Sequence, residues 1–261
     1  MTLGADFNVW EGIYAAFSDA PAAGPGFAGE TWHERSLQSA RQALLSLTSD
    51  KPLDYSLRQR NALLPMICAM VLQQKKRVRI LDFGGGLGAG YIMVLRALPG
   101  AAGQIDYCVV ETEGICSRGS KLFNEYEGIN FARECPPETE FDVVYSASAL
   151  QYLEDWRGLV GQLARYRAPY FVLADAFVGE FPSYVTLQNY YENRIPHWFL
   201  NRDDLEKAVA GHGYSLMLRM DCDAKILGKY GPLPMANFPA ELRINFSSHL
   251  LFRFNRNSTS V

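Results

Sequence analysis

The segment Arg79-Ile-Leu-Asp-Phe-Gly-Gly-Gly-Leu-Gly88 constrains this chain more than any other. A run of apolar, strand-forming residues breaks into glycines, and residues 87–98 then carry apolar side chains at helical intervals. A strand that turns through glycine into a helix lets bare backbone and the helix amino end face a ligand at the carboxyl edge of a sheet. The pattern repeats downstream: strands at 105–110, 141–146 and 169–174, helices at 112–126, from about 149, and at 202–210. Such alternation predicts an α/β fold, a doubly wound, mostly parallel sheet with helices on both faces. Segments 214–219 and 249–254 have no helical pattern between them and are expected as an antiparallel C-terminal strand pair.

Upstream of residue 77 the character differs. A Pro, Ala and Gly-rich loop at 21–29 precedes two helix-like stretches, 31–47 and 55–74, separated by Asp50, Lys51 and Pro52. The expected organisation is an N-terminal helical cap over 1–77 and a nucleotide-binding domain over 78–261. Residues 220–248, holding Pro232, Pro234 and Pro239, form an insertion in that domain, long for a structureless connection.

Composition narrows the function classes. With 48% apolar residues and 20% charged, the 261-residue chain has the material for a core, and a net charge of −3 gives no positive field for a polyanion. Nucleic acid is therefore not the expected partner. Five cysteines without a CxxC pair suit free thiols in a reducing, cytoplasmic compartment. The four histidines stand apart, so no metal site is written here. The amino terminus, with Asp6 and Glu11, lacks the form of a signal peptide, and the apolar run at 62–72 is too short for a membrane span.

At the end of the second strand of the series, Glu111 offers a carboxylate to both hydroxyls of a ribose. With the glycine turn it points to a ribonucleoside ligand; alone, either feature is as readily structural. Gly84, Gly86 and Ala89 also satisfy the dinucleotide pattern GxGxxA. Against a dinucleotide stand Asp82, which would repel a pyrophosphate but could meet an ammonium, and the 27-residue step from Gly84 to Glu111, longer than the roughly 20 usual in such folds.

LDFGGGLG at 81–88, Glu111, FDVVYSASALQYLEDW at 141–156 and HWFLNRDDLEKAVAGHGYSL at 197–216 resemble the class I S-adenosylmethionine-dependent methyltransferases, a Rossmann-like fold, over about residues 78–256. Within them the chain looks most similar to a bacterial group of methyltransferases associated with surface-polysaccharide genes. The resemblance implies S-adenosylmethionine as cofactor. Asp82, Gly84, Gly85 and Gly86 would border its methionine part, Gly88 would allow close helix packing, and Glu111 would hold the ribose. The adenine would fall near Arg133, Glu134 and Cys135, although the acidic or amide side chain usual there followed by a small residue is not distinct. Ser146 and Ala147 would pass beneath the sulfonium; Ser146 reads equally as a helix-capping residue.

A sulfonium methyl is already activated, so the protein must align an acceptor, exclude water and take up a proton where required, without a metal. Candidate catalytic groups are Asp175, at the end of a strand, and His197; the ordinary alternatives are a bracing carboxylate and a packed histidine. Glu180, Tyr184, Tyr190 and Tyr191 cluster nearby. The expected partner is a small organic acceptor, held between the amino-terminal cap and a loop at 177–199, with no membrane insertion. Trp10 to Phe17 reads equally as core. An NAD-dependent oxidoreductase and a noncatalytic nucleoside-binding protein remain as alternatives. Aminopropyl transfer fits less well, because the run Ser146-Ala-Ser-Ala149 stands where an acidic polyamine loop is expected. Neither a P-loop nor a GxSxG elbow occurs.

Overall fold

The computed structural model describes residues 7–49, 51–137, 139–223 and 225–255; Asp6 and Asp50 lie outside them. In chain order the elements are β1 (Trp10–Tyr14), α1 (Glu30–Leu45), α2 (Tyr55–Arg60), α3 (Leu63–Leu72), β2 (Val78–Phe83), α4 (Ala89–Ala97), β3 (Ile105–Val110), α5 (Glu113–Leu122), β4 (Ile129–Ala132) and β5 (Val143–Ala147). They continue with α6 (Trp156–Ala164), β6 (Tyr170–Ala176), β7 (Val178–Gly179), β8 (Tyr184–Tyr190), β9 (Asn193–Asn201), α7 (Arg202–Ala210), β10 (Tyr214–Cys222) and β11 (Ser247–Phe254).

Seven strands form one sheet in the order β10-β11-β6-β5-β2-β3-β4. β2, β3, β4, β5 and β6 run parallel, and β11 is antiparallel to both β6 and β10, as expected of the C-terminal pair. Successive residues of each strand face opposite layers. Ile80, Tyr107, Val143 and Val172 pack on Leu64 and Ile67 of α3 and Ile92 of α4, whereas Leu81, Cys108, Val144 and Phe171 pack on Leu159 and Leu163 of α6 and Leu205 of α7. The chain leaves β2 toward β3 and β4, then returns to the other side of β2 for β5 and β6. That reversal opens a crevice at the carboxyl ends of β2 and β5, the place where open α/β sheets bind ligands.

The expected helix at 55–74 is two helices. Asn61 interrupts it, its amide donating to the Leu57 carbonyl at 2.8 Å while its side-chain oxygen accepts from the Tyr145 hydroxyl at 3.0 Å. Pro65 then falls in the first turn of α3, where a missing N–H costs nothing. α3 shares its core with β2, so these residues pack as an outer layer of the sheet. The helix expected from about residue 149 begins instead as a single 3-10 turn at Leu150–Tyr152; α6 starts at Trp156, where the Asp155 carboxylate caps Gly158 N–H at 2.8 Å.

The larger departure is a second sheet, ordered β1-β8-β9-β7. The segment read as an aromatic loop, 177–199, forms the hairpin β8–β9, turned at Tyr191 with φ +53, and β1 adds antiparallel to β8. On one face Trp10, Phe177, Tyr184 and Phe199 pack against Leu233, Met235 and Phe238 of the insertion. On the other, Val185 and Leu187 pack with Ala20, Tyr14 and Phe17. The insertion is thus a cover for this sheet, and it is shorter than expected, because β10 runs on to Cys222 and β11 begins at Ser247.

Candidate functional site

The glycine turn joins β2 to α4. Gly84, Gly86 and Gly88 have φ of +69, +55 and +71, a region where a Cβ is strained, and Gly88 occupies the N-cap of α4. A Cβ on Gly84 would strike Ala149, and one on Gly85 would lie 2.2 Å from an Asp82 carboxylate oxygen, whereas one on Gly86 would meet no atom within 4 Å. The turn is packed from below and open at Gly86.

Asp82 is 1% exposed. Its Oδ2 accepts from the Tyr107 hydroxyl at 2.6 Å, and its Oδ1 has no partner. Burial pushes its pKa up to about 7, against the Tyr107 hydrogen bond, with the Glu111 charge adding to the rise. Glu111 lies across the turn: Oε1 accepts from Gly86 N–H at 3.3 Å and Oε2 from Thr112 N–H at 2.8 Å. Burial raises its pKa and these two backbone donors lower it. Ser146, buried at the end of β5, has a hydroxyl without a partner; Ala147 follows it and Ser148 takes φ +56. Glu134 is exposed in the loop after β4.

Beside this crevice, the next-to-last residue of β6 is Asp175, a buried carboxylate at φ +51. Its Oδ2 accepts from Arg60 Nε at 2.9 Å and its Oδ1 from the Ser247 hydroxyl. Its backbone N–H donates to His249 Nδ1 at 3.3 Å. Tyr152, in the 3-10 turn, donates to Gln188 of β8 at 2.6 Å, which ties the main sheet to the second sheet. His197 is 0% exposed, with Phe177, Phe199, Tyr152 and Trp10 around it at ring-centroid distances of 4.6, 5.1, 5.2 and 5.9 Å. Burial pushes its pKa down to about 3, and neither ring nitrogen has a hydrogen-bond partner. A separate cleft of about 580 Å³, lined by Lys75, Arg77, Arg79 and Asp142, lies at the opposite edge of the sheet, away from these groups.

A family model described as a methyltransferase domain matches residues 53–218, well over half of the chain. The chain belongs to the methyltransferase-domain family. No curated protein sequence matches it. Among solved structures it is similar to Burkholderia thailandensis 1,6-didemethyltoxoflavin-N1-methyltransferase, crystallised with 1,6-didemethyltoxoflavin and S-adenosylhomocysteine. The identity is 14%, the match covers 91% of this chain and 93% of that one, and the TM-score is 0.53. It is also similar to magnesium protoporphyrin IX methyltransferase from Synechocystis PCC 6803, crystallised with SAH, at 12% identity over 85% of this chain and 97% of that one, with a TM-score of 0.50. At these identities the likeness is one of fold.

In this methyltransferase domain the crevice brings Asp82, Gly84, Gly85, Gly86, Glu111, Ser146 and Ala147 to one edge of the sheet; Glu134 stands at the outer end of that edge, beyond β4. Asp175 and His197 lie on the neighbouring side, toward the second sheet. Three residues escaped the sequence reading. His33 of α1 is buried against Gly114, with a Gly114 Cβ position 3.1 Å from its ring. Arg60 closes α2, and Tyr152 sits within a segment read only for its small residues. Arg60 could not be singled out because Arg58 and Arg60 share a short polar helix, and only the pairing with residue 175, 115 positions away, distinguishes them.

Among the described residues no helix is long and apolar enough to cross a membrane, and no group of His, Cys, Asp and Glu could hold a metal ion.

Proposed function

We propose that the chain transfers the methyl group of S-adenosylmethionine to a small organic acceptor. One observation carries the reading: at the β2/β5 crevice a glycine turn opens at Gly86 and faces Glu111, a carboxylate at the end of β3. Family membership supports the reaction class, and both solved neighbours hold the demethylated form of this cofactor. The residues present fit the group. Asp82 Oδ1 and the Ser146 hydroxyl are buried polar atoms without partners among the described residues, and a Cβ at Gly86 would meet no atom within 4 Å.

In this reading Glu111 accepts from the ribose hydroxyls, and Asp82 faces the ammonium of the methionine part. Gly84, Gly85 and Gly86 let backbone approach, Ser146 and Ala147 lie below, and Glu134 stands at the adenine edge. When bound, the cofactor supplies a methyl group already activated on a sulfonium sulfur. The protein's own contribution is alignment and exclusion of water. The wall for that is the second sheet, with Tyr152 and Tyr190, carried over the strand ends by the hairpin. Asp175 holds Arg60 in place, because both its oxygens already accept hydrogen bonds. His197 is part of the wall: a group with a pKa near 3 is a weak base at neutral pH. Kinship with the group associated with surface-polysaccharide genes belongs to this proposal and rests on the sequence segments alone.

The test is a calorimetric titration of the full chain with S-adenosylmethionine, S-adenosylhomocysteine and NAD in parallel. The expected result is binding of the first two in preference to NAD; NAD binding more tightly than either would overturn the reading.

A further inference from the structure

The group least explained by cofactor binding is the Arg60 guanidinium. It is held from behind: Nε donates to Asp175 Oδ2 at 2.9 Å, and the Tyr145 hydroxyl donates to the Arg60 carbonyl at 2.9 Å. The Asp175 side chain is 2% exposed and its second oxygen is taken by Ser247, so nothing in solution can compete for it. The Arg60 side chain is 42% exposed nonetheless, and its two terminal nitrogens have no hydrogen-bond partner among the described residues. A guanidinium fixed through Nε presents its remaining N–H groups as a flat fork, the geometry that grips a carboxylate.

The charges around it do not balance. Tyr152 and Tyr190 lie within the electrostatic reach of Arg60, and Tyr190 also within that of Arg35. Arg35 stacks on the Tyr191 ring at 4.1 Å and donates to its hydroxyl at 3.1 Å, with no carboxylate partner among the described residues. Both guanidinium groups thus act on Tyr190, and among the described residues Asp175 is the one carboxylate paired with either. An excess of one positive charge, donors without acceptors, and tyrosine rings alongside define a receptor for a planar monoanion.

We infer that the methyl acceptor carries a carboxylate on an aromatic or similarly flat frame, and that Arg60 anchors it. The inference rests on the methyltransferase reading for the identity of the second ligand, but not for the anion itself. Arg60 is a binding residue here, and Asp175 positions it.

The experiment uses the full chain saturated with S-adenosylhomocysteine and probes it by saturation-transfer NMR and calorimetry. Matched pairs serve as ligands: benzoate and benzamide, salicylate and salicylamide, indole-3-acetate and indole-3-acetamide. At least one carboxylate is expected to bind tenfold or more tightly than its amide, and Arg60→Gln is expected to erase that preference. Because Arg60→Gln leaves Asp175 buried and unpaired, Arg60→Met/Asp175→Asn, which removes both charges, is measured beside it and should lose the preference too. The inference falls if no carboxylate outbinds its amide, or if the preference survives in both variants. Failure of S-adenosylhomocysteine to bind the wild-type protein would be a different result, overturning the methyltransferase reading.

Discussion

Replacing Asp82 by asparagine should make the protein more stable at pH 8 and leave it nearly unchanged at pH 4. The carboxyl is buried under the glycine turn, and its pKa stands at about 7 against an ordinary 3.8. A folded-state pKa above the unfolded one means that the folded protein binds the proton more tightly. Ionised Asp82 therefore costs stability, and the cost grows as pH rises from about 3.8 to 7 and is complete above that. At roughly 1.4 kcal/mol per unit, a shift of about three units is worth about 4 kcal/mol at pH 8, and about 0.6 kcal/mol at pH 4. Asparagine retains an oxygen for the Tyr107 hydroxyl, which now donates at 2.6 Å, and carries no charge. For a chain of this size the gain corresponds to roughly 8 °C in Tm. Thermal unfolding of both proteins at pH 4, 6 and 8 is the assay. Equal Tm values at pH 8, or a gain that does not depend on pH, would refute the reasoning. On the proposed reading, in which Asp82 faces the cofactor ammonium, the same substitution should weaken S-adenosylhomocysteine binding by about tenfold or more. Stability gained together with binding lost marks a residue kept for its chemistry.

Glu111→Ala should weaken S-adenosylmethionine binding by about 1.5 to 3 kcal/mol, the scale of lost charge-assisted hydrogen bonds; an unchanged Kd in a folded variant removes Glu111 from the site. Gly86→Val should abolish binding, because its side chain enters the open side of the turn at φ +55, while circular dichroism stays native; retained affinity counts against the whole cofactor placement. Trp10→Ala should cost about 3 to 5 kcal/mol in denaturant unfolding, as it empties a fully buried site between Phe177 and Phe199; a loss below about 1 kcal/mol would show that the second sheet does not depend on β1.

The main sheet was legible because its strands are mostly apolar runs closed by glycine or an acid, as in Val78–Phe83, interrupted by Arg79 and Asp82, and Ile105–Val110, interrupted by Asp106. The second sheet was not. β8 is buried on both faces over Tyr184 to Leu187 and half-buried from Gln188 on, so it shows no alternation, and its hairpin turns at Tyr191 and Glu192 without the Asn-Gly or Asp-Gly that announces such a turn. β1 is five residues broken by a register shift, and its partner lies some 175 positions away. The residues of the candidate site were legible for the same reason as the sheet: Asp82 and the glycines close β2, and Glu111 directly follows β3. Arg60 and Asp175 meet only in three dimensions, and the burial that changes the chemistry of His197 comes from rings on three separate segments.

The second sheet also sets an order of events in folding. Asn237 donates to the Trp10 carbonyl at 2.8 Å across 227 residues, and Thr186 to the Glu11 carbonyl at 2.9 Å across 175. Contacts of such sequence separation are late and slow, because the intervening chain must be ordered before they are rewarded. On the ribosome β1 emerges long before β8 and has no partner until β8 is made, and its cover does not exist until residue 238. The crevice edge with the glycine turn and Glu111 draws on β2, β3 and β5, all complete by residue 147, so that edge is assembled while the second sheet is still an amino-terminal strand waiting for the hairpin.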